Sequence, residues 1–335
     1  MLATVAAARL GPYVSPQSGH EDARKRGNRH GGGPIPLKLI VQKGFIAVNF
    51  AKLTCGTALV AALFVTALPS GRGAPARDTP IVLVPHRAIY DLSLAQKRGN
   101  SQIVGVRGRI LYDFSGSACD GYSLEFRQVS ELDNGEGESK ISTSDLRSTT
   151  WEGGDAKSFK FSSQNFVNED LVDTVDGHAE RSASETAVDL NKPERRTLDL
   201  DAKVVFPTEH MVRVIAAARA GETILSFPVY DGSETGDKVF DTLSVIGRPI
   251  ATSARAHDDA IAKEPRLASM ARWPVTISYF DKAKKADMSE QTPAYAIGFE
   301  LYDNGISRAL QLDYNDFVVA GKLTSLELKE AKPCR

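Results

Sequence analysis

The sequence predicts a mainly β protein built on an antiparallel sheet, and two observations carry that prediction. After about residue 80, apolar and polar residues alternate with a period of two in segment after segment. This alternation is the pattern of strands that bury one face. The segments follow one another through short turns without regular helices between them, which favours antiparallel pairing over βαβ units.

The alternation is clearest in two neighbouring segments that the turn Cys119-Asp120-Gly121 separates. The predicted inward residues are Val104, Val106, Ile110, Tyr112 and Phe114 before the turn, and Tyr122, Leu124 and Phe126 after it. The same spacing recurs within 90–94, 198–206, 225–229, 275–279 and 297–301. These segments are the predicted strands of one sheet.

One hairpin can be predicted with its turn. The strand-like segments 297–302 and 306–312 are joined by Asp303-Asn304-Gly305. Because Asn-Gly tolerates positive φ at both central positions, we expect a type I′ turn here.

One helix is predicted over 208–220. Pro207 and Thr208 provide an entry and an N-cap, and Gly221 provides the exit. Its predicted buried face carries Met211, Val214, Ile215 and Ala218, and Glu209 and Arg213 are spaced as an i,i+4 ion pair. A single amphipathic helix among strands needs a sheet to pack against, and 77–335 shows no linker, so we predict one domain there.

The N-terminal region resembles an export signal. The sixteen residues 53–68 carry no charge, Lys43 and Lys52 precede them, and Ala74-Pro75-Ala76 follows. This order predicts a secretory signal peptide over 41–76, cleaved after Ala76 or earlier near Ala67. An uncleaved anchor is the alternative, although sixteen residues are short for a membrane span. Residues 1–40 are interpreted as a non-native extension, with Val41 rather than Met1 as the true start.

The cysteines predict one disulfide in the mature chain. Removal of the leader takes Cys55 with it and leaves Cys119 and Cys334, which usually pair in an oxidising compartment. Two separate buried thiols are the alternative.

After residue 76 the chain has 32 basic and 40 acidic residues, since nine of the 41 lysines and arginines and two of the 42 aspartates and glutamates precede it. This net negative charge argues against a nucleic-acid partner.

The sequence shows no catalytic motif, no cofactor signature and no residue spacing typical of a metal site. The segment 232–236 resembles GxSxG with its serine displaced by one position, and is interpreted as a turn. His210 is expected to help cap the helix N-terminus, and His86 is either a surface residue or a contact residue. Asp170, Asp173, Asp176 and His178 do not follow a calcium-loop spacing and are interpreted as a solvated acidic loop. The sequence therefore predicts a protein that is not an enzyme.

Several stretches resemble the EipB-type cell-envelope-integrity family of α-proteobacterial periplasmic proteins. They are 83–92, 108–122, 227–232, 273–280 and 293–328. The resemblance implies a β-spiral, an incompletely closed barrel wrapped around one α-helix. It also implies a disulfide at the positions of Cys119 and Cys334.

The resulting functional hypothesis is a non-enzymatic periplasmic protein that supports envelope integrity. It is expected to bind a lipid, a lipopeptide or a protein segment in its concave sheet, and to contact the membrane only through its leader before cleavage. A purely structural interaction protein with a packed interior is the first alternative. An envelope hydrolase is the second.

Overall fold

The computed structural model describes residues 79–135, 141–251, 259–283 and 291–330. The extension 1–40, the leader 41–76 and Cys334 lie outside the described residues. Within the described ranges, no helix is long and apolar enough to cross a bilayer. The strands are β1 His86–Lys97, β2 Gly105–Ser117, β3 Gly121–Asp133, β4 Ile141–Glu152, β5 Ser158–Val167, β6 Asp170–Arg181, β7 Glu185–Lys192, β8 Arg196–Asp201, β9 Ile224–Val229, β10 Phe240–Ile246, β11 Arg272–Asp281, β12 Tyr295–Tyr302, β13 Ser307–Asp313 and β14 Phe317–Leu328.

The fourteen strands form one antiparallel sheet in the order β8-β7-β6-β5-β4-β3-β2-β1-β14-β13-β12-β11-β10-β9. Except for β8 and β9, strands that are neighbours in sequence are neighbours in the sheet, and β1 pairs with β14 to join its two halves. The sheet is not closed, because β8 and β9 remain as its edges. A single parallel bridge, Val205 with Val229, links the chain after β8 to β9. The predicted mainly β, antiparallel and incompletely closed architecture is confirmed.

The described helices lie in two of the connections between strands. Helix α1 spans Pro207–Ala220 between β8 and β9, and a 3-10 helix, Ala260–Lys263, precedes the short helix α2, Pro265–Ala268. Pro265 is the first residue of α2, where its missing N–H has no helical partner to lose. Gly221 ends α1 with a φ of 77°, a left-handed conformation that glycine adopts without a steric penalty.

The predicted hairpin forms, but its predicted turn type is wrong. Strands β12 and β13 pair on either side of the turn, with Leu301 opposite Ser307. Gly305 N–H donates to Tyr302 O (3.0 Å), and among the turn residues only Gly305 has a positive φ, of 87°. A type I′ turn needs positive φ at both central residues. One extra residue in the loop lets Gly305 alone supply the left-handed conformation.

The prediction of an acidic loop at 170–178 is also wrong, because these residues belong to strand β6. Val175 and Ala179 are buried on its inner face, while Asp170 and Asp173 are exposed. Pairing with β5 and β7 outweighs the low strand propensity of aspartate and glycine.

Helix α1 lies against the inner face of the sheet. Met211, Val214, Ile215 and Ala218 are all buried, and they belong to one apolar cluster with inward residues of β1–β4 and β10–β14. A second buried cluster joins β5–β7 to the chain before α1 and after β9, through Phe159, Phe161, Phe206 and Tyr230. Gly232 lies directly on the Phe161 ring, where an added Cβ would come within 2.4 Å of it.

Candidate functional site

The N-terminus of α1 is held by a carboxylate from a distant strand. Thr208 N–H donates to one oxygen of Glu152 (2.6 Å) and Glu209 N–H donates to the other (2.8 Å). The residue at the N-cap, Phe206, has no side chain that can accept a hydrogen bond. The prediction that Thr208 is the cap is therefore wrong: Pro207 is the first helical residue, so Thr208 lies inside the helix and Glu152 of β4 caps it instead.

Glu152 is buried, and its charge is set by two opposing effects. Burial raises the pKa of Glu152 to about 7, while the two hydrogen bonds from the helix backbone lower it. The positive end of the helix dipole faces this carboxyl group. The first turn of α1 is thus capped by a single titratable group.

One ion pair and one cation–π contact tie α1 to strands on the two sides of the opening in the sheet. Glu209 accepts from Arg181 of β6 (2.6 Å) and from Arg213 one helical turn later (2.6 Å), so the predicted i,i+4 pair forms. Arg181 lies over the Phe206 ring at 4.7 Å, and Arg213 lies over the Phe227 ring of β9 at 4.5 Å. These contacts connect β6, α1 and β9.

The two histidines singled out above are both buried. His86 places Nδ1 2.7 Å from Val84 O and stacks on Tyr112, with ring centroids 5.4 Å apart. His210 places Nε2 3.5 Å from Ser244 Oγ and does not cap α1. Burial lowers the pKa of His86 to about 4 and that of His210 to about 3, so both are neutral at pH 7. In the described residues they pack within the core.

The concave face around α1 is filled by side chains. Val214 and Ile215 of the helix are at most 1% exposed, as are Tyr90, Ile110 and Ile297 of the surrounding strands. An acyl chain in this part of the interior would have to displace α1. The packing around α1 therefore matches the packed-interior alternative.

Open cavities lie on the outer face of the sheet instead. A groove of about 660 Å³ crosses β4–β7, and Trp151, Lys160, His178, Glu180 and Asn191 are among its lining residues. Lys160 lies over the Trp151 ring at 5.3 Å. In the described ranges, no group of three or more metal-ligating side chains forms here or elsewhere.

The two edges of the sheet differ in character. Strand β8 carries Arg196, Asp199 and Asp201, charges that oppose pairing with another strand. Strand β9 carries no charge, and Ile224 at its start is 64% exposed beside Val245, its 48% exposed partner on β10. The β9 edge is thus the less protected of the two.

Within the part of the chain that the structure describes, backbone groups of β9 at this edge lack a partner. Val205 N–H donates to Pro228 O (2.9 Å) and Tyr230 N–H donates to Val205 O (3.0 Å), so residues 228 and 230 face away from β10. Hydrogen-bonding direction alternates along an antiparallel strand, so the N–H and C=O groups of Ile224 and Ser226 also face outward. Val205 therefore occupies one end of an edge whose other end is open.

The remaining predicted residues are placed as follows. Cys119 lies in the turn after β2 and is disulfide-bonded. Since it is the one cysteine among the described residues, its partner lies beyond them, and pairing with Cys334 stays a prediction. The segment 232–236 forms a turn after β9, as expected.

This geometry defines a class: an open, barrel-like antiparallel sheet that wraps around one helix. A solved structure of a β-barrel-like protein from Brucella abortus is similar to it, with a TM-score of 0.69 and 40% identity over 75% of this chain and all of that one.

The EipB-like family model matches residues 77–330, and the chain belongs to this family. It is also 40% identical over 256 residues to the cell envelope integrity protein EipB of Brucella abortus (strain 2308), covering 76% of this chain and 88% of that protein. The family resemblance of the sequence is confirmed, and the relative's name indicates a role in the cell envelope.

Proposed function

We propose that this chain is an exported, non-enzymatic periplasmic protein that supports envelope integrity by binding an extended segment of another envelope protein. The segment adds as a strand to the open end of β9. The observation that carries this proposal is the uncharged edge at Ile224 and Ser226, with its outward N–H and C=O groups. Strand addition satisfies such groups through main-chain hydrogen bonds and is therefore tolerant of partner sequence.

The exposed pair Ile224 and Val245 favours a partner segment with an apolar residue at the matching position. Val205 already adds one residue to the other end of β9, so the edge accepts a further backbone. A lipid or lipopeptide in the interior is a weaker candidate, since α1 and its neighbours occupy that space.

Location belongs to the same proposal. The leader 41–76 directs export, and Cys119 pairs with Cys334 after the chain reaches the periplasm. A disulfide that closes so long a loop stabilises by up to about 5 kcal/mol in the chain-entropy model. Reductant, or Cys119→Ser, should lower the melting temperature of the mature chain while the far-UV spectrum keeps its β signature. Identical melting curves would count against the bond.

The edge is tested by genetic complementation. In a strain that lacks the gene, the wild-type chain should restore resistance to detergent. Ser226→Pro removes an outward N–H at a position equivalent to Pro228, which the edge already tolerates, and should not restore resistance. Ser226→Ala keeps the N–H and is the matched control.

The three proteins must accumulate to the same level and melt at similar temperatures. Full restoration by Ser226→Pro would refute strand addition at β9. A chain that lacks residues 1–76 should stay in the cytosol and fail to restore resistance. Native mass spectrometry of the purified protein separates the lipid alternative, which requires a co-purifying amphiphile.

A further inference from the structure

A row of aromatic and polar side chains crosses the outer face of β4–β7. Trp151 of β4 pairs with Lys160 of β5, and Lys160 pairs with His178 of β6. These three residues line the groove of about 660 Å³ described above, which we call the outer groove. Residues that lie opposite each other on neighbouring strands point to the same face of the sheet, so the three side chains form one line across it.

The side chains of the outer groove are open to solvent. Lys160, Glu180 and Asn191 are exposed. Trp151 is partly exposed, and 45% of the His178 side chain is accessible. A ligand can therefore reach them without any opening of the sheet. The volume of the groove falls within the range of small-molecule sites.

Trp151 forms an aromatic wall of the outer groove. Its indole lies against Gly121 of β3, where an added Cβ would come within 2.7 Å of the ring. Lys160 Nζ lies over the ring at 5.3 Å. Because a cation–π contact at an exposed site is weak, the Lys160 side chain can move aside for a ligand ring and donate a hydrogen bond to it.

Hydrogen-bonding groups of both kinds surround this wall. Asn191 Nδ2 donates to Asp176 Oδ1 (2.8 Å), so the amide presents its carbonyl oxygen as an acceptor. Glu180 accepts from Ser158 Oγ (2.6 Å) through one carboxylate oxygen and can accept through the other. The ammonium group of Lys160 is a donor. The groove can thus accept from and donate to hydroxyl groups at the same time.

The charges of the lining disfavour ionic ligands. An anion would meet the carboxylates of Asp176 and Glu180 beside the single ammonium of Lys160. A cation would reach the Trp151 ring only by displacing Lys160, which exchanges one cation for another. Neutral hydroxyl groups meet neither obstacle.

We propose that the outer groove binds a short stretch of a neutral glycan. The apolar face of one sugar ring packs on the indole of Trp151, and hydroxyl groups bond to Lys160, Glu180 and Asn191. Neighbouring strands lie about 4.8 Å apart, so a groove across four strands is about 14 Å long and holds about three sugar rings. None of the described lining residues belongs to β9, so this binding is separate from strand addition.

The test is an NMR titration of the mature chain with two neutral trisaccharides, that of N-acetylglucosamine and maltotriose. We expect at least one of them to cause saturable shifts confined to β4–β7, with a dissociation constant of about 1 mM. Trp151→Leu keeps an apolar side chain without the ring face and should weaken binding about tenfold. Asn191→Ala removes an acceptor at an exposed position and should weaken it about threefold.

Gln311→Ala is the matched control for Asn191→Ala, because Gln311 is an exposed amide on β13, in the other half of the sheet. It should leave the affinity unchanged. Melting curves check the fold of each variant, and Asn191→Ala carries the test by itself if Trp151→Leu does not fold.

Three results would each overturn the proposal. They are the absence of saturable shifts with both trisaccharides, equal affinity of the wild type and a folded groove variant, and tighter binding of inorganic phosphate or methylammonium than of either trisaccharide. Full restoration of detergent resistance by Ser226→Pro would refute strand addition at β9 and leave glycan binding unaffected.

Discussion

Strands β2 and β4 lie on either side of β3, yet their inner faces have opposite character. β2 places Val106, Ile110, Tyr112 and Phe114 inside, all buried. The inward buried residues of β4 are Ser144, Leu146, Thr150 and Glu152, three of them polar. The first face belongs to an apolar core that seats α1, and the second contributes Glu152, whose carboxylate accepts two hydrogen bonds from α1.

The contrast shows how one sheet can both pack and orient a helix. Apolar contact is nondirectional and fixes the depth of α1 in the barrel. The carboxylate of Glu152 is directional, and it fixes where the helix begins. The two faces should therefore fail in different ways when they are changed.

The largest expected effect comes from the apolar side. Ile215→Ala removes a fully buried side chain of α1 and should lower the free energy of unfolding by about 2–5 kcal/mol. Urea denaturation measures it. Val212→Ala, on a half-buried residue of the same helix, is the control and should cost less. Equal losses of unfolding free energy in Ile215→Ala and Val212→Ala would contradict the packing of this helix face against the sheet.

The next effect is on the polar side. Glu152→Ala leaves the N–H groups of Thr208 and Glu209 without their acceptor and should cost about 2–3 kcal/mol. Hydrogen exchange should show faster opening of the first turn of α1. Glu125→Ala, at an exposed position of β3, should stay within about 0.5 kcal/mol. If Glu152→Ala leaves the free energy of unfolding unchanged, the cap contributes nothing to stability.

The protonation of Glu152 gives the comparison a pH dependence. Because its folded pKa is raised from 4.5 to about 7, the unfolded chain releases this proton first. Wild-type stability should therefore fall relative to Glu152→Gln as pH rises from about 4.5 to 7, by about 3 kcal/mol in total.

His86 and His210 contribute a pH dependence of opposite sign. This contribution is the same in the wild type and in Glu152→Gln, so it cancels when one stability curve is subtracted from the other. The lowered pKa values of the two histidines remove stability as pH falls below 6.5. Parallel stability curves for the two proteins would exclude a raised pKa at Glu152.

The smallest effect is expected at Gln128, an inward residue of β3. Among the described residues no group pairs with its buried Oε1, while its Nε2 lies 3.4 Å from Ser130 Oγ. Gln128→Met removes the desolvation cost of the first atom and the weak bond of the second. The two changes should cancel to within about 1 kcal/mol in thermal unfolding. A loss above 2 kcal/mol would assign Gln128 to the polar framework that supports α1.

The inner faces of β2 and β4 also show which kinds of strand can be predicted from the sequence. β2 alternates clearly and is predictable from Val106 onward, although Val104, predicted to face inward, precedes the strand and is 51% exposed. β4 reads ISTSDLRSTTWE and has no apolar inward pattern. The sequence predicts a loop at β6 for a similar reason, since its carboxylates mask three buried positions. Strands whose inner residues are polar are identified by their neighbours in the sheet.

The sequence by itself determined the strands that alternate, the buried face of α1 and the family, because each is written in local spacing or in matched stretches. The tertiary structure alone decided that Glu152, 56 positions before Thr208, caps the helix. It also decided that Glu234 and Lys238, in the loop after β9, line one pocket with Asp281 of β11 and Tyr295 of β12. Local periodicity records whether a residue is buried, but not which distant residue it is buried against.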